Sequence, residues 1–254
     1  MSDKGASVLS AVLKESGTRP TESDTSGDKI QYAVRFADAM ALAMARDLSP
    51  RLKGIEATTK RSATSAQGRK QLDVNFSTPG LGLALGISLK SVHIRDAGSA
   101  TRYTHNMKRN EEELRIEASG YHKRQPYAVM IGVLFLPLDS CTDGKKDNAS
   151  SFGSFVRKLR PYSGRQDPHD DADKFERIFV ALYDPKGSEM KFFDIEKAPP
   201  KNSRPKELLS YDEFLDASYH AYLARNSAEF EWAEGGSEPL DVEEIVTGDV
   251  STSS

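Results

Sequence analysis

The chain has 254 residues but a single cysteine, a single tryptophan and no long apolar run. One cysteine, Cys141, can form neither an internal disulfide nor a cysteine-cluster zinc site. That poverty leads to the expectation of a reducing, cytoplasmic setting. No stretch approaches the roughly 18 consecutive apolar residues of a membrane helix, so no membrane partner is expected. Residues 1–28 have no apolar segment behind a basic start and do not read as a secretory signal. Catalytic signatures are missing too. There is no Gly-x-Ser-x-Gly elbow and no P-loop, which leaves serine-hydrolase and ATP-driven functions without support. The histidines His93, His105, His122, His169 and His220 are scattered and include no i,i+4 pair for zinc. His105-Asn106 lacks a second ligand at nuclease spacing. Gly80, Gly82 and Gly86 have the wrong spacing for a dinucleotide loop.

What is present is charge, and it is segregated. Residues 51–109 hold eleven lysines and arginines against three acids. Residues 227–254 hold eight acids and no base. The net charge of -3 conceals this division, which suits a polyanionic partner or, equally, a solvated basic face with an acidic solubility tail.

Residues 1–27 are rich in Ser, Thr, Gly and Asp, and read as a disordered N-terminal segment. A helix is expected from about Asp28, as N-cap, with Ala33, Phe36, Ala37, Met40, Met44 and Leu48 on one stripe. Ser49-Pro50 ends it, and residues 51–70 read as a basic loop. Strands follow at Gln71–Phe76 and Leu83–Val92. In the second, Leu83, Leu85, Ile87 and Leu89 fall on one face and Ala84, Gly86, Ser88, Lys90 and Val92 on the other. A helix over Lys108–Lys123 stops before Pro126. Tyr127–Leu136 is nearly continuous apolar sequence, the mark of a strand buried on both faces. Phe152–Leu159 reads as a short helix, and Phe175–Tyr183 with Met190–Ile195 as a hairpin around Asp184-Pro-Lys-Gly187. Ser210-Tyr-Asp-Glu213 is a capping box opening a helix to about Asn226. The order predicts an α/β (α+β) core in which the apolar strand is central. It is read as one domain over residues 28–226, followed by an acidic disordered tail over 227–254.

Two charges sit where apolar residues are expected. Lys90 shares a strand face with Ser88, and a lysine in a central strand needs water or an anion for its head. Asp73 lies between Leu72 and Val74. If the two strands pair, Asp73 and Lys90 meet at one end of the sheet; otherwise both lie at an exposed edge. In the following helix, Glu111, Glu112 and Glu113 suit the N-terminal dipole. Glu117 instead falls among Leu114, Ala118 and Tyr121, the residues expected to face the sheet. A glutamate there needs a lysine, an arginine or a metal. Mg²⁺ takes a few carboxylates together with waters and phosphate oxygens, and Asp73 with Glu117 offers that set. His122, Lys123 and Arg124 are suited to phosphate or simply to a solvated helix end.

These residues resemble the PD-(D/E)XK nuclease superfamily, in its bacterial restriction-endonuclease-like branch. In that fold a helix precedes strands bearing an Asp and then an acid-x-Lys pair, and a helix and a further strand follow. The matching stretches are Gly68-Arg-Lys-Gln-Leu-Asp73-Val, Gly82-Leu-Ala-Leu-Gly-Ile-Ser-Leu-Lys90-Ser, Arg109-Asn-Glu-Glu-Glu-Leu-Arg115-Ile-Glu117-Ala and Tyr121-His-Lys-Arg124-Gln-Pro126-Tyr-Ala. They lie within a resemblance spanning about residues 28–226. The chain departs from the pattern at Ser88, which stands where an acid is usual. Some restriction enzymes of the superfamily share that serine and take the missing carboxylate from the next helix. Glu117 is the first choice for that role and Glu113 the second.

The resemblance implies a restriction-endonuclease-like core, a central mixed β-sheet flanked by helices. It implies an Mg²⁺-dependent endonuclease on double-stranded DNA, with Asp73 and Glu117 as metal ligands, Lys90 at the water and phosphate, and Ser88 beside them. Arg69, Lys70, Arg102, Lys108, Arg109, Lys123 and Arg124 are the expected DNA contacts. A palindromic target implies a symmetric homodimer. The competing expectation is a nucleic-acid-binding or assembly protein that keeps the fold without catalysis, because Ser88 replaces an acid.

Overall fold

The stripe Tyr32, Phe36, Met40, Met44 and Leu48 forms the buried face of a long helix, α2 (Ser26–Leu48). It begins two residues before Asp28. Thr25 is the N-cap, accepting from the Asp28 amide at 3.2 Å and donating to the Asp28 carboxylate at 2.6 Å. In this computed structural model the described residues are 3–58, 72–78, 82–95, 102–104, 106–145 and 148–226. The acidic tail 227–254 lies outside them.

Ahead of α2, the segment expected to lack structure forms α1 (Lys4–Ser16). Asp3 caps it through the Gly5 amide at 2.9 Å, and Val8, Leu9 and Val12 enter the same core as α2. Four large apolar residues carry that stripe, Leu13 packing partly buried beside the other three. The surrounding Ser, Lys, Gly and Ala dilute it to the composition of a linker.

Six strands form one sheet in chain order: β1 (Glu56–Ala57), β2 (Val74–Thr78), β3 (Gly82–Ser91), β4 (Val129–Pro137), β5 (Arg177–Tyr183) and β6 (Met190–Asp194). The pairs β1–β2, β2–β3 and β5–β6 are antiparallel, whereas β3–β4 and β4–β5 are parallel. Every residue of β4 is buried, as its continuous apolar sequence predicts. The parallel steps are bridged by α3 (Met107–His122) and α4 (Ser151–Leu159). Both helices pack on one face of the sheet, over Met130, Leu134, Ile178 and Val180. The other face is covered by α1, α2 and α5 (Tyr211–Arg225), over Ile131, Val133, Phe135 and Phe179. Helix α5 opens with the expected capping box at Ser210 and Glu213.

Two local readings need correction. Leu83 does not share a face with Leu85: a register shift between Phe76 and Ser77 lets Leu83 join the α3 side. Helix α3 starts at Met107, so Glu111–Glu113 lie beyond its first turn and no acid stands at its N-terminus.

Candidate active site on β3 and α3

Strand periodicity aims Ser88 and Lys90 at the face that α3 covers. Opposite Ser88 in β4 is Gly132, which contributes no side chain on that face. From α3, Glu117 lies one turn after Glu113 and one turn before Tyr121, and it is 7% exposed. Its two oxygens are used differently. Oε1 accepts from Nζ of Lys90 at 2.8 Å, and Oε2 accepts a hydrogen bond from the Ser88 hydroxyl. Lys90 Nζ also stands 3.9 Å from Glu113, which accepts from Arg109 Nε at 2.8 Å.

Asp73 arrives from the other side. The first β2 pair is Val74 with Ile87, and Asp73 directly precedes it. Its Oδ2 accepts from the Leu89 amide at 2.7 Å, so the carboxylate is held on the backbone between Ser88 and Lys90. Asp73, Ser88, Lys90 and Glu117 are thereby gathered at one place, and neither Asp73 nor Lys90 is a loose edge residue. Tyr121, half-buried, lies one turn beyond Glu117 on α3. Burial raises its phenol pKa, the charges of Glu117 and Asp73 add to the rise, and Arg124 and the Leu72 amide oppose it. Tyr121 received no role from its sequence position, although its place one turn after Glu117 was visible.

This arrangement suits general charge chemistry. Two carboxylates and one ammonium meet at the sheet–helix interface, where Lys90 is 12% exposed and Glu117 6% exposed at the side chain. Hydrogen bonds fix Glu117 and Asp73 in place, and partial burial strengthens every charge interaction among them. Among the described residues no group of three or more His, Cys, Asp or Glu forms a ready metal cage. A pair of carboxylates is nonetheless a sufficient protein contribution for Mg²⁺, which keeps several of its waters. The observation that bears on fit is the Lys90 ammonium itself, a cation already seated between Glu117 and Glu113.

The other expected site residues separate into groups. Lys108 and Arg109 are exposed near the start of α3, paired one turn on with Glu112 at 3.6 Å and Glu113 at 2.8 Å. Lys123 and Arg124 are exposed just beyond its end, with the Arg124 guanidinium 5.1 Å above the Tyr121 ring. Basic side chains therefore stand at both ends of α3. Arg102 is tied to the Ala149 carbonyl at 3.0 Å, which gives it a structural contact within the fold. Arg69 and Lys70 lie outside the described residues.

His122 is neither a phosphate ligand at the surface nor a solvated helix end. It is buried, with Nδ1 3.1 Å from the Ala172 carbonyl and Nε2 3.4 Å from Glu176. Glu111 is also buried, held by Lys158 at 3.2 Å and Arg115 at 3.3 Å, and it pins α3 to α4. Cys141 lies buried in a 3₁₀ turn rather than in a polar loop. Burial pushes its thiol up to about 12, which leaves it without nucleophilic character.

Compared with family models, with curated proteins and with solved structures, the chain shows no match.

Proposed function

We propose that this protein is an Mg²⁺-dependent endonuclease acting on double-stranded DNA, of the restriction type. The observation that carries the reading is the meeting of Ser88, Lys90 and Glu117 with Asp73 held on the amide between Ser88 and Lys90. Those are the positions that the resemblance to PD-(D/E)XK nucleases marks. The strand order supports it further: an antiparallel β1–β2–β3 ribbon carries Asp73 and Lys90, a crossover helix carries Glu117, and β4 then lies parallel to β3.

Asp73 and Glu117 hold the metal in this reading. When bound, Mg²⁺ acidifies a water and stabilises charge on the scissile phosphate. Lys90 donates to the attacking water and to a phosphate oxygen. Ser88 keeps Glu117 in orientation through Oε2, the work that an acid at its own position would make unnecessary. Lys108, Arg109, Lys123 and Arg124 contact the DNA backbone, which makes binding weaken with salt. A homodimer accompanies a palindromic target. The test is incubation of the purified chain with supercoiled plasmid, with and without Mg²⁺. Discrete linear fragments formed only with Mg²⁺ are the expected result.

One observation favours a second reading, a DNA-binding protein without catalysis. Glu117 already has an internal cation and a hydroxyl on its two oxygens, so the carboxylate is satisfied without a metal. That protein retains salt-sensitive DNA binding and cuts nothing under any divalent cation.

A further inference from the structure

Lys90 lies against the same carboxylate that the metal-dependent reading gives to the cation. Its head lies 2.8 Å from Oε1 of Glu117 and 3.9 Å from Glu113. An ammonium is a compact point charge, and it acts here as an internal counter-ion to the helix carboxylates. A divalent cation held by Glu117 would share that carboxylate with the ammonium. Like charges so close repel strongly where water is largely excluded. We propose that Lys90 competes with the divalent cation for Glu117, so that loading the cation requires the ammonium to leave Oε1. The Lys90 side chain is 12% exposed, so it is not wholly sealed from solvent. This rests on the metal-dependent reading above, because it takes Glu117 as a ligand.

Two consequences distinguish this from a plain structural ion pair. Lys90 is withheld on Glu117 in the metal-free protein and becomes available to an anion only when the cation has replaced it. The Ser88 hydroxyl, on the other oxygen, has no reason to move, and it keeps the Glu117 carboxylate oriented while its partner changes. The lysine thus couples occupancy of the metal site to its own release toward phosphate.

The test is direct binding of Mn²⁺ to the full chain by titration calorimetry, with no DNA present. Lys90→Met leaves Glu117 without its internal cation, and its Mn²⁺ affinity is expected to rise roughly 10-fold or more above wild type. Lys90→Arg keeps the charge and is expected to bind no tighter than wild type. The double variant Lys90→Met with Glu117→Gln is uncharged at both positions and is expected to fold and to lose the gain. Mn²⁺ is expected to raise the Tm of Lys90→Met more than that of wild type, because ligand linkage follows affinity. A Lys90→Met chain that folds only with Mn²⁺ is the extreme form of the same result.

Lys90→Met binding no tighter than wild type, with Glu117→Gln still abolishing binding, overturns the competition and leaves the metal reading standing. Absence of Mn²⁺ binding from wild type and Lys90→Met alike overturns both. A Lys90→Met chain that stays unfolded with Mn²⁺ while the double variant folds also overturns the competition.

Discussion

The Lys90 ammonium, from strand β3, and the Glu117 carboxylate, from helix α3, meet at 2.8 Å across the sheet–helix interface with little exposure of either side chain. The pair ties the crossover helix to the strand it follows. Its stability contribution is asymmetric. Removing one partner strands a buried charge, whereas removing both leaves a neutral contact.

Lys90→Met alone is therefore expected to destabilise the fold by about 3 kcal/mol, near the lower end of the range for a broken buried pair. Adding Glu117→Gln is expected to restore more than half of that loss. Urea unfolding of wild type, both single variants and the double variant gives the coupling directly. Equal additive losses contradict the pair as described.

His93 supplies a pH dependence. It is buried between Tyr32 and Phe36, with Nδ1 2.7 Å from the Tyr183 hydroxyl. Burial, aided by the charge of Arg19, lowers its pKa from 6.5 to about 3. Between those values the unfolded chain binds a proton that the folded chain refuses, so stability falls as pH is lowered through this window. The slope approaches about 1.4 kcal/mol per pH unit well inside it. His93→Gln is expected to be less stable at pH 7 but flatter between pH 6.5 and 5. Thermal unfolding across that range is the measurement, and an unchanged slope contradicts the assignment.

Glu176 is a second buried charge that the sequence did not announce. It accepts from Arg165 at 2.9 Å, from Arg225 at 3.2 Å and from the Met130 amide at 2.6 Å. Burial works to raise its pKa, but His122, the Met130 amide and Arg165 outweigh that and hold it below the ordinary value. Its stabilising effect is present above the unfolded carboxylate pKa and is lost as pH falls through the folded one. Glu176→Gln is expected to cost about 3–5 kcal/mol at pH 7, since two arginines lose a buried counter-ion. Denaturant unfolding at pH 7 and at pH 3.5 checks this, with the difference between wild type and variant shrinking at the lower pH.

Most of the sheet was legible because its strands carry period-two or continuous apolar patterns. The uninterrupted apolar residues of β4 put it in the centre, and Glu117 stood out because it occupied an apolar stripe of α3. Helix α1 was not legible, because Val8, Leu9, Val12 and Leu13 form a short run set among the Ser, Thr, Gly and Asp of residues 1–27. The face change at Leu83 depends on a register shift that arises from pairing with β2, and a single strand's alternation cannot signal it. His122 lies in sequence surroundings that read as polar, and Glu176 stands near the start of a strand that reads as apolar. They are buried because the end of α3 and the start of β5 meet there, a long-range contact with no local pattern.

Helix α1 offers its own check. Leu9 is fully buried against α2 and the sheet. Leu9→Ala is expected to lose about 2–5 kcal/mol, as for a core leucine. A change under about 0.5 kcal/mol, as at an ordinary surface position, contradicts the docking of α1 on this core.

The central claim is tested most directly by plasmid cleavage with Mg²⁺, wild type beside Lys90→Ala, Asp73→Asn and Glu117→Gln, each first shown to be folded and to bind DNA. Discrete fragments from wild type and none from any of the three variants are the predicted result. Cleavage that survives Glu117→Gln contradicts Glu117 as the migrated ligand and moves that role to Glu113. No cleavage by wild type, across methyl-free DNAs of varied sequence and with salt-sensitive binding intact, contradicts the nuclease account itself.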